Sequence, residues 1–315
     1  MKRMMKIYFT ALAICCAATA SLFAGPFDFI KDIAANEDKF EKIMNTSNKT
    51  FDVIDSFDRA TEPITPKDAY TIGRTVAASL LATYPLYKST MATGYANKIC
   101  RAIAMNSPVP VIYKQYCVGI LDSDEINALS TSSGIILISR GLLASAESED
   151  EIAAVIAHEM AHIQLEHSIN VIKANRKKDL AVSSVSLADD VVGNYSDMSG
   201  KDRALFHDFA LANNIAVSTL TQTGYPKEQE FKADAEALKL MESAGYDPSA
   251  MESMLKKLDA GYKDRAGQGG WTKTHPKPAD RLAKVKKLCA SMKYKGADPS
   301  VRSNRYKSYM KDFKK

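Results

Sequence analysis

Five residues of this 315-residue chain concentrate its chemistry: His158-Glu159-Met160-Ala161-His162. Helical residues four apart share a face, so both imidazoles reach one cation. Glu159 is turned about 100° from His158, which sets it beside that cation rather than on it. A carboxylate so placed suits a base that takes a proton from water. Two histidines do not complete a catalytic metal site, which takes three protein ligands and keeps one position open. His167 lies about 140° around an unbroken helix from His162 and points away. The longer motif with glycine at 165 and histidine at 168 is absent, since Leu165 and Ser168 stand there. His167 is therefore read as a structural or supporting group. The better third ligand lies in Glu230-Phe231-Lys232-Ala233-Asp234. Glu230 and Asp234 again share a helical face, so Glu230 can ligate while Asp234 accepts a hydrogen bond from a ligand histidine. Glu228 and Glu236 compete for the role, but neither has an aspartate four residues on.

Local signals place these residues on helices. Ser148-Glu149-Asp150-Glu151 predicts a capping box, with Ser148 at the cap and Glu151 reaching back. It opens a long amphipathic helix with Ile152, Val155, Ile156 and Ile163 on its apolar side. The second helix runs from about Pro226 to Ser243 and is closed by Gly245 and Asp247-Pro248. Upstream, Tyr116 to Leu121, Asn127 to Ser130 and Ile135 to Ser139 read as strands, with Thr131-Ser132-Ser133-Gly134 as a turn. Thr65 caps a helix that begins with Pro66 and runs through Arg74 and Leu81. Residues 25–64 read as a helical arm, from apolar positions such as Phe40, Ile43, Met44, Phe51, Ile54 and Phe57. Residues 176–222 are polar and small and give no assignment.

The chain resembles the HtpX-like zinc metallopeptidases, a family that includes the CAAX prenyl endopeptidases and soluble periplasmic proteases of the BepA and LoiP type. The likeness rests on Ala157 to His162 with His167, Glu230 to Asp234, Ala244-Gly245-Tyr246-Asp247-Pro248, Asn127-Ala128, Arg140-Gly141-Leu142-Leu143, and Thr274-His275-Pro276 with Arg281. These fall in the family's order over roughly residues 65 to 285. The resemblance implies a mainly helical α+β fold of the gluzincin type, with a small sheet whose edge strand holds peptide substrate. It implies one zinc ion on His158, His162 and Glu230, with Glu159 as the catalytic carboxylate. Asn127 and Ala128 would bind substrate backbone by strand addition. His275 and Arg281 would sit near the site, stabilising the oxyanion or gating access, with His275 able instead to occupy the open metal position. The implied function is a metalloendopeptidase acting on unfolded or misassembled envelope proteins. The alternative is a chaperone or assembly factor on the same fold, its zinc site closed or idle.

Composition leaves room for this. With 46% hydrophobic and 25% charged residues the chain is ordinary globular protein, neither collagen-like nor disordered. Residues 1–24 carry a basic start (Lys2, Arg3, Lys6), an apolar run and small residues that offer cleavage after Ala20 or Ala24. This predicts export, to the periplasm if the organism is Gram-negative. A lipid anchor at Cys15 or Cys16 is a weaker alternative. Cys100, Cys117 and Cys289 remain, and Cys100–Cys117 is the nearest pair for a disulfide. The catalytic domain is assigned to 65–290 and a basic tail to 291–315. The net charge of +5 divides into +3 from the leader, +9 from residues 282–315 and −7 from residues 25–281. An acidic body argues against a nucleic-acid partner. The basic tail could touch anionic lipid, but it reads more simply as solvated.

Overall fold

The computed structural model describes residues 63–175, 212–264, 274–275, 278–292, 294 and 299–313. The predicted leader and the helical arm lie outside the described residues. The chain divides into two compact units, Met1–Thr83 with Ile169–Val217, and Tyr84–Ser168 with Ser218–Lys315. In the first, α1 (Pro66–Thr83) buries Ile72, Val76, Ala77, Leu80 and Leu81. Thr65 Oγ1 accepts from Asp68 N (3.2 Å), and the Asp68 carboxylate accepts from Thr65 N (3.0 Å), a reciprocal cap.

The second unit holds every group discussed below. Its elements are α2 (Thr90–Met105), β1 (Cys117–Leu121), β2 (Ala128–Ser130), β3 (Ile135–Ser139), α3 (Arg140–Ser145), α4 (Glu149–Gln164), α5 (Lys227–Ser243), α6 (Ala250–Asp264), α7 (Pro278–Cys289) and α8 (Pro299–Met310). It is mainly helical with one small sheet. The strand order is β1-β3-β2, with β1 parallel and β2 antiparallel to β3. Ser139 N donates to Asn127 O and Thr131 N to Ile135 O, both at 2.9 Å. The paired groups thus fall on residues 127, 129 and 131. The N–H and C=O of Ala128 and Ser130 point to the other edge of β2, where no strand pairs among the described residues. Gly134 (φ +89°) makes the turn into β3.

The expected amphipathic helix is α4, yet it is buried on every side from Glu149 to Ile163. Alanines 153, 154, 157 and 161 make this possible. Their small side chains let α2, α5, α6, α8 and the sheet approach around the whole helix. Ser148 Oγ accepts from Glu151 N (3.1 Å) as the capping box requires. The Glu151 carboxylate, however, accepts from Glu147 N (2.6 Å), one residue earlier than the cap, and both its oxygens also bind Lys257 Nζ at 2.8 and 2.7 Å. At the far end of α5, Gly245 (φ +77°) and Tyr246 close a Schellman motif, Gly245 N donating to Glu242 O and Tyr246 N to Met241 O.

Two expectations change. Cys100 and Cys117 are free thiols on adjacent elements rather than a disulfide, and burial raises both, Cys117 to about 12. The basic tail is not a solvated strand of charge either. Residues 299–310 form α8, which packs on α2 and α4. Arg302 Nε donates to Asp150 Oδ2 (3.0 Å) and its Nη1 to Gly245 O (3.1 Å). Arg305 clasps both oxygens of the buried Glu149, which also accepts from the hydroxyls of Tyr95 (2.8 Å) and Tyr246 (3.2 Å). Tyr306 donates to Ala146 O, and Tyr309 stacks on Tyr95 with centroids 4.6 Å apart.

Candidate metal centre

Helix α4 presents His158 and His162 one turn apart, and α5 packs along it. Their Nε2 atoms are 3.1 Å apart. Glu230 Oε2 lies 3.6 Å from His158 Nε2, and Oε1 lies 3.4 Å from His162 Nε2. His275 Nε2 comes within 3.8 Å of Glu230 Oε1. One atom from each of the four residues falls within 4.8 Å of all the others. Bonds of about 2.0–2.1 Å in a tetrahedron put ligand atoms about 3.3 Å apart, close to these spacings. Glu230 supplies a chemical reason for a cation: it is fully buried, and neither carboxylate oxygen makes a hydrogen bond. Arg281 Nη1 stands 3.4 Å from Oε2 as a countercharge, but the hydrogen-bonding capacity of both oxygens is left for a further partner. The residues fit a divalent ion.

The histidine rings are held from behind. His158 Nδ1 meets Asp234 Oδ1 at 3.1 Å, leaving Nε2 toward Glu230 and His162. His162 Nδ1 meets His167 Nδ1 at 2.9 Å. His167 reaches this place because α4 does not continue. Leu165 ends it, Glu166 takes a left-handed backbone (φ +52°), and helical residues resume at 167. The 140° offset of an uninterrupted helix therefore does not apply. Burial lowers the His167 pKa to about 4, so it is neutral and can accept the Nδ1 proton of His162. That tautomer leaves a lone pair on His162 Nε2. Tyr225 stacks on the His162 ring, centroids 4.4 Å apart. Nothing in the sequence marks this tyrosine. It is delivered by one π-helical turn, Thr219–Thr223, and by Gly224 (φ +72°) just before α5.

Arg281 is fully buried and does not face an open cleft. Its Nε and Nη2 donate to the Asp234 carboxylate at 2.9 and 2.5 Å, Nη1 lies 3.4 Å from Glu230 Oε2, and Nη2 lies 3.2 Å from His158 Nδ1. Burial and Arg281 oppose charging of His158, but the Asp234 carboxylate at Nδ1 and the Glu230 carboxylate near Nε2 outweigh them and raise its pKa to about 9. Arg281 holds the Asp234 carboxyl well below its usual range against the effect of burial. Burial lowers His275 to about 3, and its Nδ1 lies 3.0 Å from Thr274 Oγ1. Glu159 is buried beside the ligand pair with Oε1 unpartnered, and burial raises its pKa. Asn127 and Ala128 lie at the start of β2, which packs against α4. Asn127 Oδ1 is buried without a hydrogen bond.

Two helical imidazoles, a carboxylate from a second helix and an acid beside them define a metallohydrolase centre. The sequence profile of Peptidase family M48 matches residues 93–289, more than half of the chain, and the chain belongs to that family of metalloproteases. The Beta-barrel assembly-enhancing protease of Escherichia coli K12 is 24% identical over 212 residues, covering 66% of this chain and 41% of the relative. Protease HtpX homolog of Janthinobacterium sp. is 26% identical over 188 residues, 52% and 63% of the two chains. Metalloprotease LoiP of E. coli K12 is 24% identical over 177 residues, 56% and 62%. The chain thus spans about two-fifths of the first of these relatives. No described helix is long and apolar enough to cross a membrane.

Proposed function

We propose that this protein is an exported zinc endopeptidase that cleaves unfolded or misassembled proteins of the cell envelope. The observation that carries the reading is the convergence of His158, His162 and the hydrogen-bond-free Glu230 carboxylate beside the buried Glu159, whose Oε1 also makes no hydrogen bond. Nitrogen and carboxylate donors at tetrahedral spacing favour zinc among divalent ions. The envelope setting draws on the leader-like N-terminus and on the names of the relatives.

Zinc, when bound, supplies Lewis acidity to a peptide carbonyl and acidifies water. The remaining work falls to the chain. The N–H and C=O groups of Ala128 and Ser130, on the edge of β2 that no described strand pairs, offer an extended substrate two-point pairing, and Asn127 lies at the head of that edge. Glu159 takes the proton from the attacking water and delivers it to the leaving nitrogen, a role worth roughly 10²- to 10⁴-fold. Asp234 and His167 fix the ligand rings, and Arg281 fixes Asp234 rather than donating to an oxyanion. His275 faces the same point as the three ligands, so cleavage requires it to withdraw.

Glu159→Gln is expected to retain one zinc per chain and lose casein cleavage by at least a hundredfold. Cleavage at the normal rate would end this reading. The inward position of His275 favours one second reading, an assembly factor whose site stays shut. His275→Ala separates the two: it raises proteolysis in a gated enzyme and produces none in an idle site.

A further inference from the structure

The two ligand histidines of α4 are backed unequally. Behind His158 Nδ1 stands the Asp234 carboxylate at 3.1 Å, and behind His162 Nδ1 stands another imidazole, His167, at 2.9 Å. A carboxylate makes the stronger bond of the two. A ring pinned at Nδ1 alone can still tilt about that atom and carry Nε2 off a cation. For His162 the face of the ring is covered as well. Tyr225 is buried and lies nearly parallel to it, 22° between planes and 4.4 Å between centroids. The same tyrosine lies 5.9 Å from His167, so it fills the corner that the two imidazoles make at 75° to each other.

The backbone that delivers this ring is uncommon. The π-helical turn Thr219–Thr223 ends with Gly224 N donating to Thr219 O at 2.8 Å, and Gly224 then takes φ +72°. Such turns are rare and cluster at functional sites. Glu230 follows in the first turn of α5, its N–H donating to Pro226 O at 3.2 Å. One short segment therefore supplies both a carboxylate ligand and the ring that faces a histidine ligand on another helix.

We propose that Tyr225 is a positioning residue for His162: its aromatic ring, rather than its hydroxyl, fixes the imidazole plane and keeps Nε2 aimed at the cation. The stack does for His162 what the carboxylate does for His158. This rests on the reading of the site as a metal centre.

The test is zinc affinity of the full chain by chelator competition, with the visible absorption of the cobalt(II)-substituted chain reporting ligand geometry. Tyr225→Phe keeps the ring and is expected to hold affinity within about threefold, with the cobalt spectrum unchanged. Tyr225→Leu fills the place without an aromatic face and is expected to weaken zinc about tenfold and alter the spectrum. Tyr225→Met serves in its place if the leucine variant does not fold. Unchanged affinity without the ring, equal losses in the phenylalanine and leucine variants, or a loss with an unaltered spectrum would each overturn the proposal. A second arm needs no metal: NMR order parameters of the His162 ring in the chelator-treated chain. They should fall in the leucine variant and hold in the phenylalanine variant, and equal order in both overturns the proposal. If the wild-type chain binds no zinc, the metal reading fails while ring order still decides the positioning.

Discussion

At the scale of single residues the centre is a set of shared protons. Below about pH 9 the metal-free site holds a proton on His158, because Asp234 and Glu230 favour its charged form more than burial and Arg281 oppose it. A cation needs the neutral ring, so it must displace that proton. Zinc affinity should therefore weaken by roughly tenfold per pH unit as pH falls below that value. Titration calorimetry in buffers of different ionisation enthalpy should find a proton released, and pH-independent affinity would contradict the assignment. Asp234→Asn and His167→Ala each remove support behind a ligand ring, and each is expected to weaken zinc binding 10- to 100-fold, measured by chelator competition. Much of this set was legible beforehand. His158, Glu159, His162, Glu230 and Asp234 are local patterns, fixed by three- and four-residue helical spacing. His167 reads as pointing away because a regular helix was assumed, and one left-handed residue, Glu166, redirects it. Tyr225 and the partners of Arg281 depend on contacts between distant segments, for which spacing carries no signal.

At the scale of elements, α4 is buried throughout, and its N-terminal turn is the costly part. Glu149, Asp150 and Glu151 suit the helix dipole there, but each leaves water. Arg305, Arg302 and Lys257 supply the countercharges. Arg305→Ala removes charge-assisted bonds from Glu149 and is expected to cost about 2–3 kcal/mol, read as a lowered urea midpoint. Arg305→Lys should recover only part, since one ammonium cannot clasp both oxygens. Gly224 sets a second constraint. A Cβ there would strike the Thr274 carbonyl, and the backbone is left-handed. Gly224→Ala should displace the segment bearing His275, and binding of a small active-site inhibitor checks this by becoming tighter. Caps and turns such as Ser148, Gly134 and Gly245 announce these elements because their physics is local. Helix α8 is not announced in this way, because its arginines read as surface charge until their acidic partners are known.

At the scale of the whole molecule, the charge division in the sequence has an internal use. An acidic body and a basic C-terminal segment meet where α8 lies on α4. The family match stops at residue 289, but the fold does not. A chain ended there should lose cooperative unfolding and become sensitive to trypsin, whereas deletion of Lys314 and Lys315 alone should change neither. Retained cooperativity in the shorter chain would show α8 to be dispensable.

That arrangement also orders events in time. A chain is synthesised from its N-terminus, so the carboxylates of α4 emerge long before the arginines that neutralise them. Glu230 and then Arg281 arrive in between, and α8 comes last. Until α8 emerges, a nascent chain therefore carries the acidic start of α4 without two of its countercharges. Ribosome-stalled chains lacking residues 299–315 should accordingly be readily digested, and gain resistance once those residues have emerged.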